Sequence, residues 1–234
     1  TQSRSSAASD VYKRQLIGFV LYLFFGRTVS KRKMEKHNGK ELNAFKQLID
    51  DQIKSFDKHN YGTSNELVTT HHDLVRMLLM NQDGFLTENN QVDVFTDGHE
   101  LFDQVIEDIY NAKHYIHLEY YTFELDGLGK RILDALETKL KEGLEVKLLY
   151  DDVGSKKVGL SKFKQFKALG GEVEAFFASK FPLINFRMNN RNHRKIIVID
   201  GQKGYIGGFN IGDDYLGLGK LGYWRDTHLS LIHI

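Results

Sequence analysis

Hydrophobic positions change their spacing along the chain, from a helical region to a region of alternating strands and helices. Across residues 39–60 and again across 73–81, apolar residues recur at intervals of three and four, which is typical of amphipathic helices. From Gln91 onward, short β-branched and aromatic runs alternate with helical patterns. The pattern predicts strands at 92–96, 114–125, 145–150, 172–177, 196–199 and 204–206, and helices at 99–112, 128–142 and 162–169. Such alternation favours an α/β layer architecture with a largely parallel sheet.

The N-terminal segment combines a short apolar run at 16–26 with a basic cluster behind it. The cluster consists of Arg27, Lys31, Arg32, Lys33 and Lys36. Eleven residues form a helix of about 16 Å, whereas a bilayer-spanning helix needs roughly 20 residues. Basic residues behind an apolar run are typical of the cytoplasmic end of a membrane helix, while a secretory signal carries its charge before the run. We therefore interpret 16–40 as a truncated membrane helix with its basic juxtamembrane segment.

Composition narrows the possible chemistry. The 234 residues include no cysteine, which excludes disulfides, thiolate metal sites and a cysteine nucleophile. The formal net charge of +1 provides no global field that would attract nucleic acid. Both ends, 1–15 and 230–234, resemble translated sequencing read-through, and we expect them to be a non-native tail and a non-native end.

The candidate chemistry lies in the segment 190–210. His193 and Lys195 are two residues apart at the start of a predicted strand, so their side chains share a face. Asp200 and Gly201 form a turn dipeptide, after which the returning strand leads to three further candidates, Gly207, Gly208 and Asn210. An imidazole nucleophile, an ammonium group, backbone N–H groups at paired glycines and an amide donor suit a metal-independent phosphoryl transfer. Asp200 is either part of that site or simply a turn residue.

The spacing of these residues resembles the signature of the phospholipase D superfamily: His-x-Lys, Asp five residues after the lysine, and Gly-Gly-x-Asn after six intervening residues. Further segments resemble the bacterial cardiolipin synthases, and the likeness extends over 16–229. These segments are 21–26, 115–123, 150–155, 192–195, 213–216 and 223–228. The chain then divides into a helical connecting region at 41–90 and a first catalytic half at 91–229.

The resemblance implies a mixed β-sheet flanked by helices, one of two halves that pack face to face. It implies that His193 attacks a phosphodiester, that Lys195 and Asn210 bind the non-bridging oxygens, and that Asp226 orients the imidazole. The full set of expected catalytic residues is His193, Lys195, Asp200, Asn210 and Asp226, and the expected substrate-binding residues are Gly207, Gly208, His117, Glu119 and Arg191. No metal or other cofactor is expected.

The implied substrate is phosphatidylglycerol, converted to cardiolipin on the cytoplasmic side of a bacterial cell membrane. The implied partners are anionic phospholipid and membrane, with no nucleic acid. Members of the superfamily carry a second His-Lys motif, and this chain has none: His233 has no lysine two residues later. We expect the chain to need the missing C-terminal half, or a second chain, to complete its site.

Several alternatives stay open. His117 and Glu119 share a strand face, so they either line the cleft, bind zinc together with the carboxylates at 151–152, or form a satisfied core pair. Arg187, Arg191 and Arg194 either bind a second phosphate or solvate a loop. The chain as a whole is alternatively a dimeric nuclease of the same superfamily, or a phospholipid-binding fragment without catalytic activity.

Overall fold

The computed structural model describes residues 15, 39–63, 65–82, 84–176, 191–220 and 222–233. Chain contacts divide it into two compact units, with one boundary between residues 89 and 90. The predicted membrane-helix remnant at 16–26, its basic cluster and Arg187 lie outside the described residues. Within those ranges, no helix combines the length and the apolar character needed to cross a bilayer.

Seven strands in the described part of the larger unit form one sheet, in the order β1-β7-β6-β5-β2-β3-β4. The strands are β1 (Asn90–Phe95), β2 (Tyr115–Tyr120), β3 (Glu145–Asp151), β4 (Glu172–Phe176), β5 (Lys195–Ile199), β6 (Lys203–Gly207) and β7 (His228–His233). The β2–β3 and β3–β4 pairs are parallel, and the other four pairs are antiparallel. The expectation of a largely parallel sheet is therefore wrong, and the mixed sheet is confirmed. The three-residue connection 200–202 after β5 forces β6 to return antiparallel, and no helix intervenes.

The main helices of this unit begin at side-chain caps. Helix α4 (Gly98–Asn111) starts after Asp97, whose carboxylate accepts hydrogen bonds from two backbone N–H groups of the first turn. Helix α5 (Gly127–Lys141) starts after Asp126, whose carboxylate accepts from the Gly129 N–H at 3.1 Å. A 3-10 turn (Leu160–Phe163) and helix α6 (Lys164–Ala168) follow β3. These caps satisfy N–H groups that have no partner inside the helix.

The core lies on one face of the sheet. Along β2, Ile116, Leu118 and Tyr120 are buried and alternate with partly exposed residues, as expected when one face of a strand packs against helices. On other strands the outward positions include exposed apolar side chains: Val92, Val94, Ile206 and Leu231. The sheet is therefore strongly one-sided in its burial.

Strand β7 was not predicted from the sequence. It lies between β1 and β6, and Ser230 is the partner of both Asp93 and Tyr205. Its inward positions, His228 and Ser230, are polar and buried. Polar and apolar residues do alternate over 228–231, which is a strand pattern. The strand was not predicted because 230–234 was expected to be a non-native end.

The smaller unit contains α1 (Gly39–Asp57), α2 (Glu66–Thr70) and α3 (His72–Gln82). The first and third helices match the predicted ones, whereas α2 is too short to show a period. A small core forms around Phe56, Val68 and Leu79. The Gln52 amide donates to the Leu86 carbonyl at 3.0 Å and accepts from the Leu86 N–H at 2.9 Å, which ties the end of the unit to α1.

Candidate active site

The candidate site lies at the edge of the sheet where β2 and β3 end and β5 begins. His193 is exposed just before β5, while Lys195, opposite Tyr120 on β2, is only 3% exposed. The Lys195 Nζ lies 3.1 Å from each ring nitrogen of His193 and donates to the His193 carbonyl at 2.9 Å. Burial lowers the pKa of Lys195, and the charge of Asp226 opposes that effect. The predicted meeting of these two side chains is confirmed.

Tyr121 is a site residue that the sequence analysis missed. Its ring centroid lies 4.6 Å from that of His193, and the Lys195 Nζ lies 5.4 Å from the tyrosine ring. A cation near an aromatic face at this distance is attracted to it. Tyr121 follows directly after β2. The signal in the sequence that could have identified it is an aromatic residue at the end of a predicted strand.

A hydrogen-bond network holds the segment that precedes His193. Asp151 is fully buried at the end of β3, and its carboxylate accepts from the Asn192 N–H at 3.1 Å and from two N–H groups of its own loop. The Arg191 guanidinium lies 3.8 Å from the same carboxylate. The Asn192 side chain donates to Glu119 on β2. The C-terminal ends of β2 and β3 thus hold Asn192, and Asn192 directly precedes the candidate nucleophile His193.

Glu119 and His117 have separate partners, although they share a strand face. Glu119 contacts Asn192 and lies 3.6 Å from the Arg194 guanidinium. His117 lies further from the site edge, and its Nε2 is 2.7 Å from a carboxylate oxygen of Glu145. The structure therefore brings Glu119, but not His117, to the site. Among the described residues, no three histidine, aspartate or glutamate side chains cluster so that they would hold a metal ion.

Gly207 and Gly208 were expected to bind the substrate, but in the structure they allow two backbone segments to pack closely. The Gly208 N–H donates to the Thr227 carbonyl at 2.9 Å, so it is not available to a bound anion. A Cβ at Gly208 would lie about 2 Å from the Asp226 carboxylate, and a Cβ at Gly207 would lie 2.5 Å from the His228 Cα. Both glycines allow β6 and the segment 226–228 to approach closely.

Asn210 and Asp226 lie near the site edge with defined partners. The Asn210 Oδ1 accepts from the Thr122 N–H at 3.0 Å, and its Nδ2 donates to the Tyr215 hydroxyl at 2.7 Å. An amide NH2 carries two hydrogens, so one such bond leaves a second N–H. The Asp226 Oδ1 accepts from the Thr227 N–H at 2.7 Å. Within the described residues, Asp226 makes no hydrogen bond to His193, so the expected orienting contact is not present.

Asp200 is not brought to the other site residues. It follows β5 at the end opposite Lys195, about 16 Å away along an extended strand. Its φ of 56° and that of Gly201, 68°, place these two residues at the centre of a β-turn, which the Gln202 N–H closes by donating to the Ile199 carbonyl at 3.0 Å. The structure thus favours the turn interpretation of Asp200 over the catalytic one.

The Asp200 carboxylate also holds the start of β2. It accepts from the backbone N–H groups of Lys113, His114 and Tyr115 at 2.7, 2.8 and 2.9 Å. Burial pushes the pKa of this carboxyl upward, but the three N–H donors together hold it below its usual value. The turn and strand β2 are therefore locked together by one side chain.

Asp200→Ala is expected to lower the free energy of unfolding by about 2 kcal/mol, because it leaves backbone donors unpaired and places alanine at positive φ. Asp200→Asn keeps an acceptor oxygen and tolerates that φ, so it is expected to lose about 1 kcal/mol or less. Urea unfolding of the parent chain and of the two variants measures these losses in the free energy of unfolding. Equal stability of all three proteins would contradict this role.

Comparison with known proteins shows which family the chain belongs to. Residues 105–219 match a family model described as cardiolipin synthase, PLD-like domain. The chain is 81% identical over 213 residues to Cardiolipin synthase 1 of Staphylococcus epidermidis, which covers 91% of this chain and 44% of that protein. The chain belongs to the phospholipase D-like cardiolipin synthase family.

Other members of the cardiolipin synthase family show the same partial coverage. Identity to Cardiolipin synthase 1 of Staphylococcus aureus is 76% over 216 residues, which covers 92% of this chain and 44% of that protein. The chain therefore spans about 44% of the length of these relatives. Among solved structures, phosphatidylserine synthase of Haemophilus influenzae aligns with a TM-score of 0.49 and 23% identity, over 61% of this chain and 33% of that one.

Proposed function

We propose that this chain is the first half of a cardiolipin synthase that transfers a phosphatidyl group between two phosphatidylglycerol molecules through His193. The observation that carries the proposal is an exposed imidazole in contact with a buried lysine at a strand end. The exposed ring is accessible to a large lipid substrate, and the lysine supplies positive charge beside it. The high identity to cardiolipin synthases supports the choice of substrate.

In the first step, an imidazole nitrogen of His193 attacks the phosphorus of one phosphatidylglycerol. The bond from phosphorus to the terminal glycerol oxygen breaks, and a phosphohistidine forms. In the second step, a hydroxyl of another phosphatidylglycerol attacks the phosphorus and the phosphorus–nitrogen bond breaks. The products are cardiolipin and glycerol, and the proton of the attacking hydroxyl balances the one taken up by glycerol. The acid that protonates glycerol is expected in the second half of the protein.

Lys195 is the group best placed to stabilise the negative charge that develops on the phosphoryl oxygens. Its ammonium is withdrawn from water, so its electrostatic interactions are stronger than those of a surface lysine. Tyr121 keeps the ammonium beside the ring of His193. The remaining N–H of the Asn210 amide supplies a further donor on the same edge of the sheet.

The proposed setting is the cytoplasmic side of a bacterial cell membrane. Its support is the order of segments at 16–36, in which an apolar run precedes a basic cluster. Such a cluster attracts anionic lipids, the class to which phosphatidylglycerol belongs.

The test joins this chain to the remaining length of Cardiolipin synthase 1 of S. epidermidis and supplies labelled phosphatidylglycerol in mixed micelles. We expect equimolar cardiolipin and glycerol from the joined protein, and no product from the chain alone. Product from the chain alone would show that two copies complete the site. DNA cleavage without lipid turnover would overturn the proposal in favour of a nuclease.

Tyr121→Leu in the joined protein is expected to lower the rate of cardiolipin formation about tenfold, because the ring contact with Lys195 and His193 is lost. Tyr121→Phe keeps the ring and is expected to retain most of the activity. Initial rates at saturating lipid provide the comparison. If the phenylalanine and leucine variants are equally impaired, the hydroxyl rather than the ring is the functional part.

A further inference from the structure

Helix α3 in the smaller unit uses only one of its apolar sides to build that unit's core. Leu79 is 3% exposed and packs in the cluster with Phe56 and Val68, and Val75 lies against the same cluster. Val75 and Leu79 are four residues apart, so they lie one above the other on one face of the helix. This face accounts for the docking of α3 within its unit.

The opposite side of α3 is also apolar. Leu74, Met77 and Leu78 are 51%, 48% and 47% exposed, and their spacing of three and four residues places them on one continuous stripe. We call these three residues the apolar ridge. An exposed stripe of large apolar side chains is typical of a surface that meets a partner or a membrane.

Polar groups border the ridge. The Asp73 side chain is fully exposed, and the Arg76 Nε lies 2.6 Å from Asp57 at the end of α1. A helix with an exposed apolar stripe and charged groups along one edge of it suits a position parallel to a bilayer surface, with the apolar stripe in the acyl boundary.

The order of segments along the chain indicates which surface the ridge meets. Helix α1 begins at Gly39, three residues after Lys36, the last member of the basic cluster that starts at Arg27. The apolar run 16–26 precedes that cluster directly. Clustered lysine and arginine side chains are attracted to anionic lipid headgroups within a Debye length. The smaller unit therefore follows, within a few residues, a segment whose composition favours binding to such a surface.

We propose that the apolar ridge docks into the headgroup–acyl boundary of an anionic phospholipid bilayer, so that α3 lies in the membrane plane. This is a binding surface separate from the phosphodiester chemistry, and it rests on the proposed function only in the choice of lipid over a protein partner. A smaller unit seated on the bilayer by its ridge would not depend on the segment 16–26 alone for its position.

The experiment uses the absence of cysteine in this sequence, since a single introduced cysteine is the only thiol to label. An environment-sensitive fluorophore is attached to the introduced cysteine of Met77→Cys and, in a second protein, of Leu74→Cys. The matched control is Lys54→Cys on α1, whose parent side chain is 70% exposed and polar. Each labelled chain is mixed with vesicles of equimolar phosphatidylglycerol and phosphatidylcholine, and with vesicles of phosphatidylcholine alone.

With the phosphatidylglycerol vesicles we expect a blue shift at both ridge positions, loss of quenching by aqueous iodide, and quenching by brominated acyl chains. The Lys54 label is expected to stay accessible to iodide. The proposal is overturned if the protein floats with vesicles while the ridge labels remain as accessible as the control. Protection without vesicles that grows with protein concentration would instead assign the ridge to a second copy. Concentration-independent protection without vesicles would assign it to the chain's own packing.

None of these measurements requires turnover, so failure of the docking proposal leaves the proposed function intact. Conversely, a bilayer-docked ridge together with a joined, two-half protein that makes no cardiolipin would uphold the docking and reject the synthase. Circular dichroism of each labelled chain checks that the helices are retained.

Discussion

His193→Ala in the joined, two-half protein is expected to reduce cardiolipin formation by on the order of 10⁴-fold or more, because removal of a covalent nucleophile eliminates the whole two-step route. The side chain is exposed, and it contacts Lys195 and Tyr121 at the site. Its loss should therefore leave the fold intact. The activity should fall through the catalytic constant, with little change in the apparent affinity for lipid.

The measurement is the initial rate of cardiolipin formation, together with trapping of the acid-labile phosphohistidine after rapid quenching. His117→Ala is the matched control, since His117 is also a partly exposed histidine at this sheet but pairs with Glu145. It should keep activity within about threefold, in the range of a lost surface interaction. A phosphorylated protein still formed by His193→Ala, or equal losses in both variants, would reject His193 as the nucleophile.

A second large effect is expected in the pH dependence of stability, and its source is His228. This ring is completely buried, and both ring nitrogens are without a hydrogen-bond partner among the described residues. Burial lowers the pKa of His228 to about 4; the charge of Asp226 opposes this shift, and that of Lys195 reinforces it. The folded protein therefore keeps the ring neutral at pH values where an unfolded chain binds a proton.

The direction of the effect follows from this difference in proton binding. The ordinary pKa of 6.5 applies to the unfolded chain, so the stability is fully present above that pH. As the pH falls from 6.5 towards 4, the unfolded state gains a proton that the folded state excludes. The free energy of unfolding should fall across this window by about 3 kcal/mol from this group alone.

His228→Phe is expected to remove this contribution while preserving an aromatic ring beside Phe209. Urea unfolding of the parent and the variant at about pH 7 and about pH 4.5 isolates the effect, because carboxylates contribute equally to both proteins. The difference in stability between the two pH values should be smaller in the variant by about 2–3 kcal/mol. Parallel pH profiles would mean that the ring is protonated, or reached by water, in the folded protein.

Local patterns in the sequence determined the individual elements and the hairpin that carries the site. The β-branched run at 196–199 followed by Asp200 and Gly201 predicts a strand and a hairpin turn, because Asp-Gly suits the positive φ that such a turn needs at its central positions. The spacing of His193 and Lys195 predicts that their side chains meet, since both lie on the same short extended segment. These predictions depend on neighbours in the chain, and the structure confirms them.

Tertiary structure decided which distant residues join that hairpin. The antiparallel register of β2 against β5 places Tyr120 opposite Lys195, which brings Tyr121 to the nucleophile. The same register carries the start of β2 to the other end of β5, where Asp200 binds it and is removed from the site. Register and strand order arise from packing between segments 73 to 85 residues apart in the chain, and no local spacing encodes them. The sequence therefore predicted the motif, but not the inclusion of Tyr121 or the placement of His117 away from the site.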